Sequence, residues 1–138
     1  MKKRDTILFR ILSSYTIVEK AGQNFTVIPF HKKYAEYIAP IAEKIIEAAK
    51  FSSNKSFKHY LEERAKSLID GSYKQADIAW FGVKGSRIDF MVGPCERYLD
   101  KMFLKKRSYQ AFVAIIDNKM TKEAEEIKEI LYASAKIS

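Results

Sequence analysis

Cysteine is nearly absent from this chain. Cys95 stands alone, so no internal disulfide can form and a disulfide-stapled secreted domain is excluded. Proline and glycine are scarce as well, with three and five residues, and no Pro/Gly/Ser linker or repeat divides the chain. No run approaches the ~18 consecutive apolar residues that a membrane span needs. Histidine occurs only at positions 31 and 59. Together with Cys95 they show no H-E-x-x-H, H-x-x-x-H or C-x-x-C spacing, so no metal site is read from the residues. G-x-G-x-x-G, Walker and G-x-S-x-G patterns are missing too, which leaves no phosphate cradle and no nucleophile elbow.

What is present is ordinary for a globular protein. The chain has 138 residues, 47% of them hydrophobic and 30% charged. That length suits one domain, 1–138, with a real core, and the composition argues against whole-chain disorder. The net charge of +8 favours acidic partners without constraining the fold. The N-terminal MKKRDTILFRILSSYTIVEK opens like a signal peptide. Its apolar part is broken by Arg10 and no small-x-small cleavage site follows, so it reads as ordinary structure and the cytoplasm is the default compartment.

Periodicity supplies the elements. Residues 6–18 fit helix or strand. Gly22 and Asn24 mark a turn, and Phe25 to Phe30 reads as an extended piece ending at Pro29. Tyr34 to Lys50 is a helix with Ile38, Ile41, Ala42, Ile45, Ile46 and Ala49 on one face. Pro40 suggests that its regular part begins near Ala39. Ser56 is expected to cap a second helix that buries Phe57, Tyr60, Leu61, Ala65, Leu68 and Ile69 and stops at Asp70-Gly71. A hairpin is expected from Asp77–Val83, a Lys84-Gly85-Ser86 turn, and the alternating Ile88–Val92. Phe112 to Ile116 reads as a central strand buried on both faces. Thr121 is expected to cap a last helix with Ala124, Ile127, Ile130 and Leu131 facing inward. The predicted class is α+β: two N-terminal helices, a small mostly antiparallel sheet of about three strands, and a C-terminal helix.

Few residues suggest chemistry by themselves. His59 with Glu62 and Glu63 reads as a solvated charge cluster, His31 as a surface residue, and Cys95 as an inert thiol. Lys2, Lys3 and Arg4 form one basic cluster; Lys101, Lys105, Lys106 and Arg107 form another around Met102-Phe103-Leu104. Basic residues interleaved with aromatics can bind nucleic acid, but no RNA-binding signature accompanies them and a solvated charged loop is favoured.

The stretch DIAWFGVKGSRIDFMVGPCERYLDKMFLKKRSYQAFVAIID, residues 77–117, is more specific. It resembles the segment preceding the zinc motif in the dipeptidyl-peptidase III family of zinc metallopeptidases, most closely the bacterial branch, whose relatives are also fused to Nudix domains in plants. The matching residues are Asp77, Ala79 and Trp80; Ile88, Asp89, Gly93, Pro94, Glu96, Tyr98 and Asp100; then Phe103, Lys106, Ala111, Phe112 and Val113. Upstream, Val27-Ile28-Pro29-Phe30 and the Phe57, Leu61, Arg64, Ala65, Leu68 helix also match, so that the likeness covers about residues 26–117.

The resemblance implies that Tyr98 donates a hydrogen bond to the scissile carbonyl of a peptide substrate and that Glu96 pairs with its free amino terminus. It also implies zinc as the family's cofactor, although the family's H-E-x-x-G-H motif and second acidic motif do not occur in these residues. Gln110 and Leu104 depart from the family's usual Glu and Gly. The expectation is therefore a truncated or split member forming one cleft wall, not catalytic alone, and binding no zinc itself. Its partner would be a peptide or a second chain carrying the zinc half. The alternatives are a non-catalytic peptide- or protein-binding module, a homo-oligomer included, and a basic nucleic-acid binder.

Overall fold

The computed structural model describes residues 3–101 and 103–135. The ambiguous start resolves into both options: helix α1 (Lys3–Leu12) and then strand β1 (Thr16–Ala21). Strand β2 (Asn24–Pro29) folds back on β1 through Gly22, whose φ of 63° suits a tight turn. A single helical turn, α2 (Phe30–Lys33), leads into α3 (Ala35–Phe51). Helix α3 begins before Ala39 and runs through Pro40. The proline sits on the exposed side, where water can meet the Glu36 carbonyl that its missing N–H leaves without a donor.

Helix α4 (Lys55–Asp70) is capped by Asn54 rather than Ser56. The Asn54 Oδ1 accepts from the Phe57 N–H at 2.9 Å, while the Ser56 hydroxyl accepts from the Lys84 N–H at 3.1 Å. Gly71 ends the helix in the left-handed conformation, φ 76°, as expected. The core lies between α3 and α4, with Ile38, Ala42, Ile45 and Ala49 against Phe57, Tyr60, Leu61, Ala65 and Leu68. Ile41, Ile46 and Ile69 fall outside it, at the margins of the two stripes.

The expected hairpin is not formed. Asp77 to Phe81 belongs to helix α5 (Tyr73–Phe81), which buries Tyr73 and Ala76 against α4. Periodicity alone does not separate helix from strand in so short an apolar run. The Lys84 segment is tied to the α4 N-terminus instead, its carbonyl accepting from Asn54 Nδ2 at 2.8 Å. Strand β3 (Ile88–Glu96) pairs antiparallel with β4 (Ser108–Ile115), so the described strands make two separate two-stranded sheets rather than one of three. Strand β4 is not a doubly buried central strand: Val113 is 70% and Ile115 80% exposed. Helix α6 (Asn118–Ala135) is capped by the Asp117 carboxylate, which accepts from the Lys119 N–H at 2.8 Å; Thr121 only donates back to the Asp117 carbonyl. Its apolar face points outward, with Ile127 58% exposed.

The connection from β3 to β4, residues 97–107, is organised by one carboxylate. Asp100 accepts from the N–H groups of Lys105 and Lys106, both at 2.9 Å. This closure puts Leu104 at φ 52°, a left-handed conformation that costs a side chain about 1–2 kcal/mol. A glycine suits the position better, in line with the residue that the family resemblance implies there.

Two stability results follow. Leu68, 1% exposed, should cost about 2–5 kcal/mol on replacement by alanine, whereas Ile127→Ala should cost less than about 0.5 kcal/mol; urea denaturation separates them. Leu104→Gly should gain roughly 0.5–1 kcal/mol in the same assay, because relief of the strained φ exceeds the added chain entropy.

Candidate functional site

The site is built outward from α4. The Tyr60 hydroxyl donates to the Phe90 carbonyl at 2.7 Å and fastens β3 to the helix. One turn on, the buried Arg64 guanidinium lies over the Tyr60 ring, 5.6 Å from its centroid, and donates to Asp77 Oδ1 at 2.6 Å. Gly93 passes beside it. A Cβ there would lie 3.3 Å from Arg64 Nη1, in a backbone conformation, φ 153°, that side chains rarely adopt. Trp80 Nε1 donates to Asp89 Oδ1 at 3.0 Å, which ties α5 to the same strand.

Strand β3 then loses its regular pairing. Pro94 stands opposite Tyr109 and Glu96 opposite Ser108, leaving Cys95 as the extra residue of a bulge. A bulge turns the side chains beyond it, and here it delivers Glu96 to the rim of an open cleft of about 530 Å³. Cys95, Glu96, Arg97, Tyr98, Leu104 and Arg107 line it. The structure therefore brings Glu96 and Tyr98 together. Among the described residues, no hydrogen bond or ion pair occupies the Glu96 carboxylate. Tyr98 is 64% exposed, and its hydroxyl oxygen accepts from Gln110 Nε2 at 2.9 Å.

Two of the other lining groups, Arg107 and Cys95, are structural. Arg107 Nη1 donates to the Cys95 carbonyl at 2.9 Å and the guanidinium rests on the Tyr15 ring. The Cys95 thiol lies 3.4 Å from Met91 Sδ. Burial pushes its pKa up, with the Arg64 and Arg107 charges opposing, so it is not an activated thiolate. A second hollow of about 420 Å³, lined by Tyr15, Tyr73, Asp77 and Phe81 among others, has its carboxylate and its Tyr73 hydroxyl committed elsewhere. Asp77 is paired with Arg64, and the Tyr73 hydroxyl shares a hydrogen bond with that of Tyr109 at 3.0 Å. The Glu96 cleft is the better candidate because a carboxylate there remains uncommitted.

The downstream basic cluster is not the solvated loop expected. Lys101 and Lys105 are exposed, but Lys106 Nζ turns inward and donates to the Ser13 carbonyl at 2.8 Å and to Thr16 Oγ1 at 2.9 Å, closing the end of α1. Burial lowers its pKa. With Arg107 also engaged, half of the cluster serves the fold. The side chains of Lys2, Lys3 and Arg4 lie outside the described residues.

His59 and Glu62 are exposed on α4, and the His31 ring packs on Gly71, where a Cβ would collide with it. Among the described residues no three His, Cys, Asp or Glu side chains are grouped to hold a metal ion. The donors present therefore do not fit a zinc centre. Leu104 and Arg107 line the cleft, and Gln110 reaches Tyr98 beside it, places that sequence patterns did not single out. They lie on or beside β4, and the pairing of β4 with β3 brings them there.

Comparison with known proteins takes the cleft further. The family model of peptidase family M49 matches residues 13–135, a wider span than 26–117. Nudix hydrolase 3 of Arabidopsis thaliana is 30% identical over 111 residues, which take in 80% of this chain and 14% of that protein. The structure of DPP III from Caldithrix abyssi matches with a TM-score of 0.80 at 29% identity, over 84% of this chain and 22% of its own. Dipeptidyl-peptidase III from Corallococcus sp. strain EGB matches in fold, with a TM-score of 0.79 at 22% identity, over 92% of this chain and 26% of its own. The chain thus spans roughly a quarter or less of the length of these relatives. Since the matched span takes in most of the chain, with the strands that carry Glu96 and Gln110 and the loop that carries Tyr98, this chain belongs to peptidase family M49.

Proposed function

We propose that this chain acts as a single partial lobe, one wall of the peptide cleft of a dipeptidyl-peptidase III-like metallopeptidase, with the zinc-binding residues supplied from outside these 138 residues. By itself it binds peptide without cutting it. One observation carries this reading: Glu96 and Tyr98 share one open cleft, with the Glu96 carboxylate uncommitted, while other residues of the family pattern are engaged inside the fold. Asp77 holds Arg64, Asp89 holds Trp80, and Asp100 gathers the following loop.

In this reading the Glu96 carboxylate receives the ammonium of a free peptide N-terminus. A charge-assisted contact there registers the chain from its end. The Tyr98 hydroxyl donates to the carbonyl of the bond to be cut, and the same donor strengthens as that oxygen gains charge. Zinc in the complete family site supplies the Lewis acid and the activated water. No helix among the described residues is long and apolar enough to cross a membrane.

Titration of the ¹⁵N-labelled chain with tetra-alanine should shift the amide signals of residues 95–98 and 108–110. N-acetylation of the peptide should weaken binding about tenfold. Glu96→Gln should produce a similar loss for the free peptide and leave the acetylated one unaffected. An absence of shifts at millimolar peptide would remove the cleft reading. The purified chain given Zn²⁺ and a dipeptidyl arylamide should show no turnover. Robust, chelator-sensitive hydrolysis would overturn the assignment of a non-catalytic wall.

A further inference from the structure

Among the described residues other than glycine, Leu104 alone has a left-handed backbone, and nothing inside the fold compensates for it. The loop is wound round Asp100. The Asp100 carboxylate takes the N–H groups of Lys105 and Lys106, and its carbonyl accepts from the Leu104 N–H at 3.2 Å. That closure sets φ at 52° for whichever residue stands at position 104. Glycine meets such a φ without strain and asparagine with little, whereas leucine bears the cost in full. Burial of the side chain could offset it. Leu104, however, is 61% exposed and belongs neither to the core nor to the residues packed against it. A strained residue with no return inside the chain points to a role outside it.

The place of the side chain indicates that role. Leu99 and Phe103 belong to the same loop and are as exposed, at 62% and 65%, but neither lines the cleft; Leu104 does. It shares the cleft with a thiol, a carboxylate, a phenol and two guanidinium groups, and so gives it an aliphatic surface that these groups lack. We infer that Leu104 is a specificity-determining residue, forming an apolar subsite that favours peptides with aliphatic side chains among their first two residues. The inference rests on the cleft reading above and names the class of peptide that the cleft takes.

The two anchors of that reading fix which peptide side chains are in reach. Glu96 receives the terminal ammonium and Tyr98 meets the carbonyl of the bond to be cut. The residues at that end of the peptide are therefore the ones held in the cleft with Leu104. Aliphatic groups that meet there withdraw each other from water, and the gain follows the apolar area covered. A glycine at position 104 would relieve the backbone and leave the cleft without this contact. The leucine thus exchanges fold stability for selectivity.

Three peptides and three variants test the inference, with affinities measured by NMR titration. The wild type should bind Leu-Leu-Ala-Ala about three- to tenfold more tightly than tetra-alanine, the gain expected of a partly covered contact on an open wall. Ala-Ala-Leu-Leu, equally apolar but with its leucines at the other end, should gain less than about twofold. In Leu104→Asn, which tolerates the left-handed φ, and in Leu104→Gly, the preference for Leu-Leu-Ala-Ala should vanish. Phe103→Ala should retain it. A merely structural leucine would not separate in this way, because Leu104→Gly is expected to raise stability towards urea while it lowers selectivity.

A wild type that binds tetra-alanine without preferring Leu-Leu-Ala-Ala would overturn the inference and leave the cleft reading standing. So would a preference that survives in Leu104→Asn, or losses in that variant that are equal for the two peptides. Equal gains for Leu-Leu-Ala-Ala and Ala-Ala-Leu-Leu would reduce the effect to general apolar adhesion and overturn it as well. If no peptide binds the wild type, the cleft reading falls and this inference with it.

Discussion

Arg64 carries a full charge into a helix pair otherwise lined by Tyr60, Leu61, Ala65 and Leu68. Moving a guanidinium out of water costs several kcal/mol, and the arrangement around it is what offsets that cost. Asp77 approaches from α5, the Tyr60 ring supports one face, and β3 comes near only because Gly93 has no side chain to obstruct it. Helix α5 and strand β3 are thereby referred to α4. The bulge at Cys95 lies two residues beyond Gly93, so the direction in which Glu96 leaves the sheet depends on this contact. The Nε atom of Arg64 has no hydrogen-bond partner among the described residues, which puts the weight of the pairing on Asp77.

This arrangement changes how the family pattern is understood. Several of its acidic and aromatic residues resemble site residues when seen in a line of sequence. In the fold, Asp77, Trp80, Asp89 and Asp100 make hydrogen bonds that shape the surroundings of the cleft, and Lys106 closes the end of α1. Glu96 and Tyr98 differ because their polar atoms face the opening. Burial and bonding, rather than residue type, separate the two groups.

The exposed apolar residues belong to the same picture. Val113 and Ile115 on β4 and Ile127, Ile130 and Leu131 on α6 are apolar at strand or helix spacing, yet lie in water in this chain. Their periodicity led to the expectation of burial, and the partner they would need is not among the described elements. The chain also spans only a small part of the length of its relatives. Apolar patterning specifies which side of an element avoids water, but says nothing about which surface covers it.

Local rules therefore reached a definite distance. The stripes of α3 and α4, the stop at Gly71, the turn at Gly22 and the extended pieces at 25–29 and 88–92 follow from side-chain periodicity and backbone freedom, which neighbouring residues determine among themselves, although Asn24 joins the strand and Phe30 the following helix. The motif around Glu96 and Tyr98 was likewise visible in the amino-acid order. The helix at Asp77, the two separate sheets, the inward turn of Lys106 and the reach of Gln110 to Tyr98 were not. Each depends on a contact between residues distant in the chain, such as Arg64 with Asp77 or Lys106 with Ser13, and the free energy of such a contact exists only once tertiary packing has brought the two together.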